Sequence, residues 1–410
     1  MIIQSFRKGG NDENMEEEYG EVMPGFLYIV INGDLNVEHF EQNSPEQQGT
    51  FVHEYCHFLQ FVSTTYGYFA FTRFFEEYLY KIGKVSDKAD IEALEKNLDY
   101  YTVIIGDNEL DTKFHITDIR TEKDEELFRD PYIMVEYNGD KQFCFGALCI
   151  FESMAYLAEK QLYDIRIRSK EFPYCVCEEI CKYIYPEISK KDSCMMALCE
   201  LALLEANPGL FFIKALELMK DKRFLPSKVD DVVNFIDQNY KIGFRGYREQ
   251  IESLLYEIYP ECGIDFSGIR NWILSRFEKG CLYRESNKCF ITNLICNKNF
   301  DYLNYVIRDF GCPPIINSGR ILQGAMYNGR EIDVTLMLVP VAIYDLLDYQ
   351  GKFMNKKCWL ADLCKVGKHP FYSEQCSICF EKRDYLPSDE LLCPVNAFLK
   401  IYNVPNKSDK

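Results

Sequence analysis

His53-Glu54-Tyr55-Cys56-His57 sets two imidazoles four residues apart, with a carboxylate beside the first. On a helix that spacing projects both rings from one side, one turn apart. Two imidazoles so placed suit a tetrahedral cation such as Zn²⁺. That ion takes His nitrogens and usually a third protein ligand, and leaves a fourth position for a water whose pKa it lowers. Glu54, next to the first ligand, is then the candidate catalytic base that accepts the water's proton. The plain competitor is a pair of satisfied core histidines. With five His in 410 residues, chance supplies this pentad on the order of a hundredth of a time.

The chemistry requires a helix, and the local residues supply one between Ser44 and Gly67. Ser44 is a natural N-cap, Pro45 fits the first helical position, and Gln47 completes a capping box. Gly67 can end the helix in a left-handed turn. At about 100° per residue, His53, His57, Gln60 and Thr64 fall on one polar stripe.

The pentad on such a helix resembles the zincin metallopeptidases. The metzincin branch continues with Gly and His where this chain has Gln60 and Ser63, so the resemblance is to the gluzincin-like branch, over at most residues 25–160. It implies a zinc metallopeptidase hydrolysing peptide bonds, with a Glu on a later helix as third ligand. It also implies an edge strand beside the active-site helix, here residues 26–31, to which an extended peptide can add. The distance usual in such proteins, about twenty residues after the second His, falls on Glu76 or Glu77. Against these, Arg73, Glu77 and Lys81 also read as a solvated ion-pair ladder opposite Phe71, Phe75, Tyr78 and Ile82. The rival is Glu152, the lone charge in an apolar stretch over residues 146–158, where an isolated carboxylate is costly unless paired or bound to a cation. Its E-x-x-A pattern with Ala155 is similar to a gluzincin glutamate helix, and it is the preferred metal ligand beside His53 and His57. Glu200, equally alone in its own apolar stretch, shows that isolation is not unique to Glu152. Tyr66, Tyr68 and His115 are candidate donors to a developing oxyanion.

The rest of the chain must position these groups. Its 47% hydrophobic and 15% aromatic content supports a sizeable core. The expected fold is α+β and predominantly helical: a zincin-like catalytic region with a small sheet over residues 1–170, a helical domain over 171–350, and a Cys-rich tail over 351–410. Residues 25–31 read as a short buried strand, 86–101 as a charged helix, and 107–130 as polar and irregular. Asn138-Gly139 joins 132–137 to 141–145 as a hairpin. Helices are expected over 177–185, 194–205, 208–220 after the cap Asn207, 229–240 and 247–259.

A net charge of −18 argues against a nucleic-acid partner. The first residues lack the apolar core of a secretory signal, and no uncharged apolar run reaches spanning length, which leads to the expectation of a cytoplasmic protein without a membrane partner. Its eighteen cysteines then read as thiols or metal ligands. Cys358, Cys364, Cys376 and Cys379, with His369 between, offer enough donors for a second, structural Zn²⁺. The partner expected is a peptide or protein substrate. The alternatives are a metal-stabilised binding or scaffold protein without catalysis, and a regulated intracellular protease silent until triggered.

Overall fold

The Ser44 hydroxyl accepts the Gln47 N–H at 3.3 Å while the Gln47 side chain accepts the Ser44 N–H at 2.9 Å, so the helix that follows starts with the capping box its sequence encodes. This is α1, Pro45–Ser63, in a computed structural model that describes residues 20–23, 27–31, 35–36, 39–85, 115–123, 131–139, 141–163, 171–242, 248–260, 265–297, 300–317, 320–347 and 356–366, with residues 393, 395, 398 and 402. The helix ends earlier than Gly67. Thr64 adopts an extended backbone; its hydroxyl donates to Gln60 O at 2.8 Å and accepts the Gly67 N–H at 2.9 Å, closing one helix and opening the next. Gly67 therefore lies in the first turn of α2, Thr65–Val85, and a Cβ there would stand 2.4 Å from Gln60 O. The glycine serves close approach of the two helices, not a left-handed stop.

One small sheet packs against α1, and a second lies against helices further along the chain. The first holds β1 (Gly20–Met23) and β2 (Tyr28–Ile31), paired antiparallel, then β6 (Ile315–Asn317), parallel to β2, and β7 (Arg320–Gln323), antiparallel to β6. The strand expected at an edge is thus interior. Residues almost three hundred positions away fill its open side, and the edges of the sheet are β1 and β7. The second sheet is β3 (Ile116–Glu122), β4 (Tyr132–Tyr137) and β5 (Lys141–Phe145). Asn138 and Gly139 both take positive φ, as a two-residue hairpin turn requires. The strand β3 occupies the stretch expected to be irregular. Its outward side chains are polar, and Arg120 holds it to β4 through Glu136, a cross-strand ion pair that hydropathy alone does not reveal.

Gly146 leads from β5 into α3, Ala147–Tyr163, which lies against α1. A run of helices follows: α4 (Val176–Ile184), α5 (Asp192–Ala202), α6 (Pro208–Asp221, capped by Asn207), α7 (Val229–Asn239) and α8 (Arg248–Ile258). These fall within a few residues of the expected positions. Next come α9 (Ser267–Ser286), α10 (Phe290–Cys296) and α11 (Phe300–Phe310). Gly280 lets α9 press on the end of α1, since a Cβ there would stand 2.0 Å from Val62 O. The fold is α+β and mostly helical, and one continuous apolar core runs from Leu27 to Phe398, through residues of all three regions drawn from the sequence. No described helix is long and apolar enough to cross a membrane.

Two further expectations change. Lys81 is buried, its Nζ 3.2 Å from Leu347 O and 3.6 Å from the Tyr344 ring centroid, so Arg73, Glu77 and Lys81 do not form a solvated ladder. In the tail, Cys358 and Cys364 are buried beside a short helix, Leu360–Val366. The expected partners His369, Cys376 and Cys379, like the helix expected over 86–101, lie outside the described residues.

Candidate metal centre

Because α1 carries His53 and His57 one turn apart and α3 packs along it, the two imidazoles face the Glu152 carboxylate of α3. His53 Nε2 lies 3.2 Å from Glu152 Oε2 and 3.2 Å from His57 Nε2, and His57 Nε2 lies 3.5 Å from Glu152 Oε2. Among the described residues this is the group of His, Cys, Asp or Glu side chains close enough together to hold a metal ion. The rival ligands lie elsewhere: Glu77 hydrogen-bonds Tyr344, and Glu76 is exposed.

The tautomers follow from the neighbours. Gln60 Nε2 donates to Phe151 O at 3.3 Å, which turns its amide oxygen to His57 Nδ1 at 2.8 Å. An amide oxygen only accepts, so His57 carries its proton on Nδ1 and offers the Nε2 lone pair. His53 lies between two carboxylates, its Nδ1 3.5 Å from Glu159 Oε2 and its Nε2 3.2 Å from Glu152 Oε2. Two imidazole nitrogens and a carboxylate oxygen thus converge within a triangle of 3.2, 3.2 and 3.5 Å. Ligands about 2.0–2.1 Å from one ion at the tetrahedral angle stand about 3.3 Å apart. The donor set and its spacing fit a tetrahedral cation such as Zn²⁺.

Burial alone would raise the Glu152 carboxyl; where the imidazoles are protonated, the charge of His57 and hydrogen bonds from both rings outweigh it and hold the group well below the usual carboxylate range. Glu152 is also the most open of the three, its side chain 21% exposed against 3% for His53, so the cluster meets solvent on the carboxylate side. Phe151 stands 6.2 Å from the His57 ring and stacks on Phe61 at 5.0 Å, giving the site an aromatic wall. Glu54, adjacent to His53 on α1, is buried. The other sequence candidates are placed as follows. Tyr66 packs on Phe151, Tyr68 lines a separate cavity of about 350 Å³ with Arg248, Phe277 and Cys281, and His115 is exposed at the start of β3.

Glu159 is the site residue that sequence reading missed. It stands seven positions after Glu152, two turns along the same face of α3, and is buried. It falls one residue beyond the apolar stretch 146–158 in which Glu152 is the lone charge. A buried carboxylate behind a ligand histidine orients the ring and raises its basicity. Glu200, the other lone glutamate, has a different fate. It is buried against Arg284, and it accepts the N–H groups of Ile291 at 3.0 Å and Thr292 at 2.7 Å, which caps α10. No protein-family model, no curated protein and no solved structure matches the chain.

Proposed function

We propose that the protein is a zinc metallopeptidase in which His53, His57 and Glu152 hold the ion and Glu54 is the general base. The single observation that carries this reading is the triangle of two imidazole nitrogens and one carboxylate oxygen at tetrahedral ligand spacing, with a buried carboxylate next to the first histidine. Zn²⁺ bound there would polarise a scissile carbonyl and acidify a water. Glu54 accepts the proton of the attacking water and passes it to the leaving amine. Glu159 and Gln60, each at the Nδ1 side of one ring, orient the two imidazoles with Nε2 toward Glu152. The Phe151 and Phe61 wall keeps bulk water from the His57 side, which strengthens electrostatic interactions within the site. Peptide as substrate rests on the resemblance to zincins.

Glu54 distinguishes this reading from a structural metal site. A purely structural site has no use for a carboxylate that ligates nothing. Glu54→Gln is expected to leave folding and metal content intact and to abolish hydrolysis of a casein-derived peptide mixture. Hydrolysis that survives the substitution sinks the mechanism.

A further inference from the structure

Trp272, Arg276, Lys279 and Tyr283 follow one another at intervals of four, three and four residues, so they share one face of α9. Two of them take the carboxylate at the end of α11. Asp309 Oδ1 lies 2.6 Å from Lys279 Nζ, and Asp309 Oδ2 accepts the Tyr283 hydroxyl at 3.0 Å. Arg276 is 6% exposed, yet no carboxylate of the described residues forms an ion pair with it. Its Nε and Nη2 donate to Ser275 Oγ at 3.3 and 3.1 Å, while Nη1 finds no acceptor among the described residues. The guanidinium fills the place of a side chain on Gly311, where φ is +87° and a Cβ would stand 2.3 Å from Nη1. Burial pushes the Arg276 pKa down, and Tyr55, Asp309 and Tyr327 nearby do not restore it, as expected of a cation short of counter-charge. One turn earlier, the centre of the Trp272 ring lies 5.5 Å from the guanidinium carbon, and its buried Nε1 also lacks a hydrogen-bond partner. Ser275, Gly311, Cys312 and Tyr327 are half-exposed, so the guanidinium lies just beneath the surface.

We propose that Arg276 anchors a binding site for a small, singly charged carboxylate, a site that stands whether or not the chain is a peptidase. A buried donor without an acceptor is costly, and a buried cation without a counter-charge is more so. Two such donors side by side call for an anionic acceptor. Ser275 Oγ takes the Nε and Nη2 edge of the guanidinium, which leaves the edge between Nη1 and Nη2. The two parallel N–H groups of that edge match the two oxygens of a carboxylate. Charge sets the valence. Lys279 and Asp309 cancel one another, so a single negative charge neutralises Arg276, whereas a phosphate dianion would leave an excess charge out of water. The close approach of Gly311 to Nη1 favours a compact acid over one that is bulky next to its carboxyl group.

The test is a titration of the full chain in which sodium acetate replaces sodium chloride at constant ionic strength, followed by tryptophan emission and by the thermal midpoint. Trp272 is one of two tryptophans, so an acceptor arriving beside it changes the emission. Acetate is expected to give a saturable change with a midpoint on the order of 1 mM, and phosphate above its second pKa to bind about tenfold more weakly. Arg276→Met keeps the stem and removes the charge. It is expected to keep wild-type circular dichroism and to lose the saturable change. Arg276→Lys keeps the charge without the fork, and is expected to bind acetate about tenfold more weakly and to show no preference for it over chloride. N-acetyl-alanyl-alanine, compared with acetate, separates a peptide end from a free small acid as the source of the carboxylate; either result upholds the site and names its source. Equal binding of that dipeptide's amide would overturn it. So would a wild-type chain that does not distinguish acetate from chloride, or acetate binding that survives in Arg276→Met. Should Arg276→Met fail to fold, Arg276→Lys decides alone, and acetate binding as tight as in wild type overturns the assignment.

Discussion

His53 Nδ1 lies 3.5 Å from Glu159 Oε2. At that distance the carboxylate holds the ring by charge more than by a tight hydrogen bond, and it does so from within the core, because both groups are buried. Glu159→Gln keeps the shape and an amide acceptor while removing the charge. It is expected to weaken Zn²⁺ affinity about 10–100-fold with unchanged circular dichroism, as measured by competition with a chromogenic chelator. An affinity equal to wild type would show that Glu159 plays no part in holding the ion.

Metal and stability are linked. Zn²⁺ at a hundred times its Kd is expected to stabilise the fold by about 2.7 kcal/mol, seen as a raised thermal midpoint that a chelator reverses. His53→Ala and Glu152→Gln should lose that shift. Glu152 stays ionised well into acid because its folded carboxyl lies below the usual range, so its contribution is present above the unfolded pKa and lost only as pH falls far below it. Protons compete with the ion for its ligands, so metal is expected to be released on acidification. Elemental analysis across pH 4–8 checks this, and also shows whether the bound ion is zinc.

Glu200 and Arg284 give a prediction of the opposite kind. Arg284 bonds Glu200 and the carbonyl of Ser63, where its Nε lies 2.8 Å away, while Glu200 also satisfies the start of α10. Glu200→Ala leaves a buried guanidinium without its counter-charge and removes the acceptor of two backbone donors. It is expected to destabilise the chain by about 3–5 kcal/mol in urea unfolding. Zn²⁺ stoichiometry in the folded fraction should not change, in contrast to Glu152→Gln.

Thiol chemistry supplies a fourth test. Burial, reinforced by nearby glutamates, pushes the Cys175 and Cys281 thiols up to about 11. At pH 8 about one part in a thousand is thiolate, so iodoacetamide should label them slowly, with a rate that climbs about tenfold per pH unit up to about 11. A raised folded pKa means that their contribution to stability is present below the unfolded value and is lost as pH rises toward 11. Peptide mapping of native and urea-unfolded protein at pH 8 should show the unfolded chain labelling far faster.

What could be read from the sequence follows the range of the forces involved. The cap at Ser44, the Asn138-Gly139 turn and the amphipathic helices after residue 171 are local, and each is found within a few residues of its expected place. The two lone glutamates could not be told apart, because the difference lies in what faces them: imidazoles across from Glu152, and Arg284 eighty-four residues away for Glu200. Long-range pairing also hid the interior position of β2, whose partner β6 comes almost at the end of the helical run. Glu159 was legible in principle, as a second carboxylate on the face defined by Glu152. Thr64 was not, since its double role at the junction of α1 and α2 depends on the approach that Gly67 permits.

Gly280 ties the two ends of the chain into a single inheritance. With Val62 O where its side chain would be, and Arg284 one turn on holding the Ser63 carbonyl, the last turn of the histidine helix is moulded by a segment more than two hundred residues downstream. A fragment cut at residue 170 would keep His53, Glu54, His57 and Glu152 but lose the surface against which α1 is pressed. On the proposed reading the half that carries the candidate site is not a free module, and the helical half, which holds none of the three candidate ligands, shapes the helix on which two of them stand.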